Sequence, residues 1–135
     1  MYKVTCGPTA FFDVDDTLLL WDIPEGCEYT ITVSCRGFSE LLAPNTYNIE
    51  LLKKFATRGH SVVVWSAGGS DWAEAAVKAL NLEKYVEVCT SKPNYYIDDI
   101  ANPKEWIGKH GFFTYEGKRI HGDNIPNLQI NKEKE

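Results

Sequence analysis

The chain has 135 residues and a formal net charge of −5, with 44% hydrophobic and 24% charged residues. This length predicts one domain with a real hydrophobic core, and the composition is that of an ordinary soluble globular protein. The acidic balance argues against extended nucleic-acid binding, which depends on many Lys and Arg contacts to phosphates. No apolar run approaches a membrane span and the N-terminus lacks a signal-peptide core, so we expect a cytoplasmic protein without membrane contact.

Four cysteines are spaced irregularly and include no Cys-x-x-Cys pair: Cys6, Cys27, Cys35 and Cys89. This spacing indicates neither a zinc site nor a redox dithiol. We therefore expect reduced thiols, with a Cys27–Cys35 disulfide as the less favoured alternative.

The first predicted element is a buried strand over 9–14 that ends in acids. Asp13 then lies at the carboxyl end of the strand, and Asp15 faces the same side if the chain stays extended. Such a carboxylate pair can hold a divalent cation and supply one nucleophile and one proton-transfer group. The alternative is structural, with Asp16 and Thr17 capping a helical turn.

Residues 18–35 are predicted to form a hairpin beside these acids. Leu18 to Trp21 are apolar, and residues 29–35 alternate with Ile31 and Val33 on one face. A loop then leads to a helix that begins at Asn45 or Thr46 and stops at the glycine of Arg58-Gly59.

The second half of the chain alternates strands and helices. Strands are predicted over 61–65, 85–89 and 95–97, and a helix over 71–80 with Trp72, Ala75, Ala76, Ala79 and Leu80 directed inward. Small residues from Ser66 to Ser70 would let backbone amides approach an anion. This order of elements predicts a parallel α/β sheet with right-handed crossovers.

Polar side chains follow four of the predicted strands: Asp13 with Asp15, then Ser66, then Lys92, then Asp98 with Asp99. Because the carboxyl ends of parallel strands share one edge of a sheet, these groups are expected to converge. Acids, a hydroxyl, a lysine and a metal ion are together the requirements of phosphoryl transfer.

Four segments resemble, in order, the motifs of the haloacid dehalogenase (HAD) superfamily. Phe12-Asp13-Val14-Asp15-Asp16-Thr17-Leu18 is similar to the first motif, Asp-x-Asp-x-Thr, and Val62-Val63-Val64-Trp65-Ser66 to the second. Lys92 matches the third, and Tyr96-Ile97-Asp98-Asp99 the fourth. The resemblance covers residues 11–99 and implies an α/β fold, a Rossmann-like three-layer sandwich with a mainly parallel central sheet and a β-hairpin flap after strand 1.

The resemblance also implies roles for the site residues. Asp13 would be the nucleophile that forms an aspartyl-phosphate, and Asp15 the general acid and base, which marks phosphatases within the superfamily. Thr17, Ser66, Ala67 and Lys92 would bind the phosphoryl oxygens. The cofactor would be Mg²⁺, held by the Asp13 carboxylate, the Asp15 backbone carbonyl and Asp98, with Asp99 nearby.

Neither gap between the motifs has room for a folded cap domain, so the resemblance is to capless members with an open site. We expect a single catalytic domain over residues 1–130 and a frayed tail over 131–135. The loop residues Trp21, Tyr29, Arg36 and Phe38 are candidates for contact with substrate.

The expected substrate is a nucleotide or another small phosphomonoester, and a second copy of the chain is a possible closure for the open site. A phosphoprotein or a nucleic-acid end is the alternative substrate. A receiver-like signalling module or a non-catalytic Mg²⁺-binding relative is the alternative function. The receiver reading is disfavoured because the central strand ends in Trp65-Ser66, where a receiver needs an aspartate.

Overall fold

The computed structural model describes residues 8–23, 28–103, 107, 114–115 and 118–119. In chain order the elements are β1 (Thr9–Asp13), β2 (Leu19–Leu20), β3 (Ile31–Cys35), β4 (Phe38–Pro44), α1 (Thr46–Thr57), β5 (Ser61–Ser66), α2 (Ser70–Ala79), β6 (Val88–Ser91), β7 (Thr114–Tyr115) and β8 (Lys118–Arg119). The protein is thus α/β, as predicted. The expected frayed tail, 131–135, lies outside the described residues.

A parallel sheet in the order β1-β5-β6 organises the fold. Its middle strand, β5, contributes Val62, Val63 and Val64, all of them buried, as expected for a strand covered on both faces. Phe12 of β1 and Val64 belong to the same core as Leu52 of α1. Helix α2 joins this core, so both crossover helices contribute to one apolar interior.

The two helices begin and end close to the predicted positions. Asn45 caps α1, its side chain accepting the backbone N–H of Asn48 at 3.4 Å, and the chain leaves the helix at Gly59 with φ of 95°. Helix α2 begins at Ser70, one residue earlier than expected. Its buried residues are Trp72, Ala73, Ala76 and Val77, whereas the predicted Ala75, Ala79 and Leu80 are only partly buried.

The predicted hairpin over 18–35 is wrong in its pairing. Residues 38–44, expected to be a loop, form β4, which lies between β2 and β3 in an antiparallel sheet of order β2-β4-β3. The true hairpin is β3–β4, and its two-residue turn has Arg36 at φ 54° and Gly37 at φ 78°. Strand β4 was missed because Leu41, Leu42 and Ala43 do not alternate with polar residues.

The last two predicted strands of the sheet also need correction. Strand β6 begins at Val88 and not at Tyr85, because the Tyr85 N–H closes a turn onto the Leu82 carbonyl at 2.9 Å. The predicted strand over 95–97 does not form: Tyr95 is 87% and Ile97 95% exposed, and neither lies in a strand. An apolar triplet is too short to specify a strand without a partner.

Of the four cysteines, Cys35 and Cys89 are described, and both are free thiols. Burial raises the pKa of the Cys89 thiol. Within the described ranges, no helix is long and apolar enough to cross a membrane.

Candidate functional site

Asp13 ends β1 at the carboxyl edge of the parallel sheet, where it pairs with Trp65 of β5. One carboxylate oxygen, Oδ2, lies 3.3 Å from the Thr17 hydroxyl, which donates to it. The other oxygen, Oδ1, lies 3.3 Å from the Lys92 ammonium. The predicted nucleophile therefore has a hydroxyl donor on one oxygen and a cation on the other.

Asp15 accepts three side-chain hydrogen bonds. Its Oδ1 receives the indole N–H of Trp21 at 2.9 Å and that of Trp72 at 3.0 Å. Its Oδ2 receives the Ser66 hydroxyl at 3.4 Å. Donors from a loop, a helix and a strand end fix the orientation of this carboxylate.

A compact turn sets the two acids side by side. Val14, between them, is fully buried, and its carbonyl accepts the backbone N–H groups of Thr17, Leu18 and Leu19. Because the buried side chain of Val14 points into the core, Asp13 and Asp15 both face outward, as their spacing predicted. Asp16 has φ of 61°, a left-handed conformation that Asp adopts more readily than most residues.

Two hydrogen bonds connect this turn to the start of helix α1. The buried side chain of Asn48 donates to the Thr17 carbonyl at 2.9 Å, and the Asn45 N–H donates to the Leu18 carbonyl at 2.9 Å. Sequence reasoning did not assign a role to Asn48. Asn48 lies three and four residues before Leu51 and Leu52, on the buried face of α1, and a polar residue on that face is the signal that was available.

Ser66 is fully buried at the end of β5, and its hydroxyl also accepts the Gly68 N–H at 2.9 Å. Ala67, predicted to bind phosphate, lies exposed in the turn between them. A side chain at position 68 would be crowded, since its Cβ would lie 3.3 Å from the Ser66 Oγ and 3.5 Å from the Trp72 ring. The glycine thus permits the close approach of this turn to the serine and the indole.

Lys92 follows β6 directly, and its backbone N–H donates to the Ser66 carbonyl at 3.0 Å. This bond ties the third strand end to the second and directs the lysine to Asp13. The ammonium also lies 5.9 Å from the centroid of the Trp65 ring. Three predicted strand ends therefore converge as expected.

The fourth predicted group is not part of this cluster. Asp98 and Asp99 are exposed and follow the segment 95–97 that is not a strand. The backbone N–H of Ile100 donates to Asp98 Oδ1 at 2.9 Å, and this hydrogen bond lowers the pKa of Asp98 below its ordinary value. Among the described strands, β1, β5 and β6 form the parallel sheet, and none of them leads into Asp98 or Asp99.

The donor set restricts which metal site can form. Within the described ranges, no three His, Cys, Asp or Glu side chains are grouped to share a metal ion. Mg²⁺ retains several waters and is commonly bound by one or two carboxylates together with substrate phosphate oxygens. Asp13, with the Asp15 backbone carbonyl, fits that kind of site, whereas a cage built from Asp13, Asp98 and Asp99 does not.

Trp72 is buried as predicted, but it also contacts the site, which the sequence analysis did not anticipate. Its helical spacing predicted a core position, and its ring is indeed only 8% exposed. A buried indole N–H needs an acceptor, however, and here the acceptor is Asp15. Trp21, by contrast, was already a candidate for substrate contact, and its indole also reaches Asp15.

The cluster brings together a carboxylate beside a cation, a second carboxylate held by donors, and a buried hydroxyl at a sheet edge. This arrangement can supply a nucleophile, a proton-transfer group and phosphate ligands. Comparison of the chain with models of protein families, with curated proteins and with solved structures found no match.

Proposed function

We propose that this protein is a Mg²⁺-dependent phosphomonoester hydrolase that acts through an aspartyl-phosphate, in the manner of the capless HAD phosphatases that its motifs resemble. The observation that carries the proposal is the convergence of Asp13, Asp15, Ser66 and Lys92 from three strand ends. On this proposal the parallel sheet is the core of a Rossmann-like three-layer sandwich, and the β3–β4 hairpin is the flap.

In the first half-reaction, an Asp13 carboxylate oxygen attacks phosphorus and the bond from phosphorus to the leaving oxygen breaks. Asp15, in its protonated form, transfers its proton to that oxygen, so that the product leaves as a neutral alcohol. The indole N–H groups of Trp21 and Trp72 keep the Asp15 carboxyl group aimed at the leaving oxygen.

In the second half-reaction, water attacks phosphorus and gives a proton to the Asp15 carboxylate, and the bond between Asp13 and phosphorus breaks. Inorganic phosphate is released and both acids return to their starting states. Lys92 and the Ser66 hydroxyl bind the transferring oxygens, as does the backbone of Ala67. A Mg²⁺ ion held by Asp13 and the Asp15 carbonyl would supply further neutralisation of the phosphoryl charge.

The test is release of inorganic phosphate from a generic aryl phosphate by the wild type and by Asp13→Asn, each with Mg²⁺ and with a chelator. We expect Mg²⁺-dependent turnover that falls by roughly 10⁴-fold or more in the variant, because the nucleophile is lost. Asp22→Asn is the matched control, since Asp22 is an exposed acid that follows β2.

Circular dichroism of all three proteins establishes that the variants are folded. Turnover that survives in Asp13→Asn, or that the chelator does not affect, contradicts the mechanism. An inactive wild type that is folded and loaded with Mg²⁺ contradicts the assignment as a phosphatase. Asp98 and Asp99, which the motif resemblance implies as metal ligands, have no role in this scheme.

A further inference from the structure

A wide-open cavity of about 410 Å³ lies beside Asp15. It is lined by Asp15, Asp16, Trp21, Phe38, Gly68 and Trp72. Its volume falls within the range of sites that bind small molecules. Because Asp15 lines it, the cavity is where the leaving group of a phosphoryl transfer would be held.

Three aromatic rings form one wall of this cavity. The Trp72 ring centroid lies 6.3 Å from that of Trp21 and 6.0 Å from that of Phe38. Both indoles are fixed by their bonds to Asp15. Phe38 is 49% exposed, so a large apolar ring faces solvent at the mouth of the cavity. Such a surface favours stacking by a planar ring.

The position of Phe38 is set by the β3–β4 hairpin. Arg36, in the hairpin turn, forms an ion pair with Asp71 in the first turn of α2, donating through Nε at 2.8 Å and also through Nη2. This pair ties the hairpin tip to the helix that carries Trp72. The three rings therefore belong to a preformed surface that needs little ordering when a ligand binds.

The charged residues that line the cavity determine which ligands with a planar ring can bind there. Asp15 and Asp16 are carboxylates, and the described residues that line the cavity include no Lys or Arg. Carboxylates repel a second phosphate group but accept hydrogen bonds from hydroxyl and amino groups. The favoured occupant is uncharged, planar in part, and rich in hydrogen-bond donors.

We propose that this cavity binds the nucleoside of a nucleoside monophosphate, with the base stacked on the exposed ring of Phe38 and bordered by Trp21 and Trp72. The proposal rests on the proposed function, since that function puts the leaving group beside Asp15. It makes nucleoside monophosphates better ligands than ring-free sugar phosphates, nucleoside diphosphates or the interior of a nucleic-acid strand.

The test is calorimetric binding to the Asp13→Asn protein in Mg²⁺, which separates recognition from turnover. The ligands are the four common ribonucleoside 5′-monophosphates, ribose 5-phosphate and adenosine 5′-diphosphate. We expect the purine monophosphates to bind roughly five- to 100-fold more tightly than ribose 5-phosphate, the range for one stacked base. Adenosine 5′-diphosphate is expected to bind more weakly than the monophosphate.

Phe38→Ala in the same background is expected to remove most of that preference and to leave ribose 5-phosphate affinity unchanged. Phe38→Tyr, which keeps the ring, is expected to restore it. Phe11→Ala is the matched control, because Phe11 is 51% exposed but packs against Trp65, outside the cavity lining.

Ribose 5-phosphate binding as tightly as every monophosphate, or an equal loss for all ligands in Phe38→Ala, overturns the inference. Tightest binding of the diphosphate overturns it as well. If the wild type is inactive but the Asp13→Asn variant still prefers monophosphates, the phosphatase proposal is refuted and the nucleoside-binding proposal is supported. The experiment therefore distinguishes failure of the proposed function from failure of the proposed ligand.

Discussion

Two acidic pairs in this chain follow short apolar runs, but only the first pair lies at the edge of the parallel sheet. Asp13 and Asp15 follow β1, which pairs with the middle strand β5 and contributes Phe12 to the core. Asp98 and Asp99 follow Tyr95–Ile97, which is exposed and lies outside every strand. Acids reach the edge of this sheet only where the residues before them pair with a neighbouring strand.

The strongest way to probe the first pair is Asp15→Asn, which keeps the shape of the side chain but removes its proton-transfer ability. We expect kcat/KM for an alkyl phosphate to fall by roughly 10²–10⁴-fold. An aryl phosphate, whose leaving oxygen needs less protonation, should lose far less. Steady-state kinetics on both substrates measures the contrast, and equal losses would point to a positioning role for Asp15 instead.

The two apolar runs can be compared directly by their contribution to stability. Phe12 is buried and packs edge-on against Phe55, with ring centroids 6.0 Å apart, so Phe12→Ala should lower the free energy of unfolding by about 3–5 kcal/mol. Ile97→Ala should change it by less than about 0.5 kcal/mol, because the side chain is exposed. Urea unfolding measures both. A core-sized loss for Ile97→Ala would mean that 95–97 is buried in solution.

The second acidic pair, Asp98 and Asp99, can be tested by measuring how turnover depends on Mg²⁺ concentration in Asp98→Asn. Asp99→Asn is the matched control. An exposed carboxylate away from the bound ion is screened, so we expect the half-saturating Mg²⁺ concentration to change by less than about threefold. The motif resemblance predicts a larger change for Asp98. A rise of about tenfold or more, the size typical of groups that support a metal ligand, would mean that Asp98 joins Asp13 when Mg²⁺ binds.

The smallest expected effect is on the titration of Asp98. The Ile100 N–H stabilises the ionised carboxylate, so its pKa in the folded protein should lie below the ordinary value. The linked stability is then present above the ordinary pKa and is lost as the pH falls through the lowered one. Carboxyl-carbon NMR titration measures this pKa. Ile100→Pro removes the donor and should return the pKa toward the ordinary value, and an unchanged pKa would exclude this bond as the cause.

Much of the fold was predictable because it depends on local patterns. The run of valines in β5, the Asn45 cap and the Gly59 stop each act within a few residues, and each was placed within one residue or less. Strand β4 and the triplet 95–97 were misjudged for one physical reason. Strand formation depends on a pairing partner that can be distant in the chain.

The candidate site likewise combines features that local patterns predict with features that depend on tertiary packing. Residue spacing alone predicts which groups are available: two acids two residues apart, a strand-end serine, and a lysine that follows the next strand. Spacing sufficed for these because alternation in an extended chain and parallel strand order are general properties of sheets.

The packing of distant elements is what brings the Trp72 indole of α2 to Asp15. It also places Phe38 beside Trp72, on a hairpin that an Arg36–Asp71 ion pair connects to α2. It also decided that Asp98 remains apart from Asp13. These relations concern residues that are 34 to 85 positions apart in the chain, from Phe38–Trp72 to Asp13–Asp98. No local pattern encodes such distances, because they are set by how the helices and strands pack.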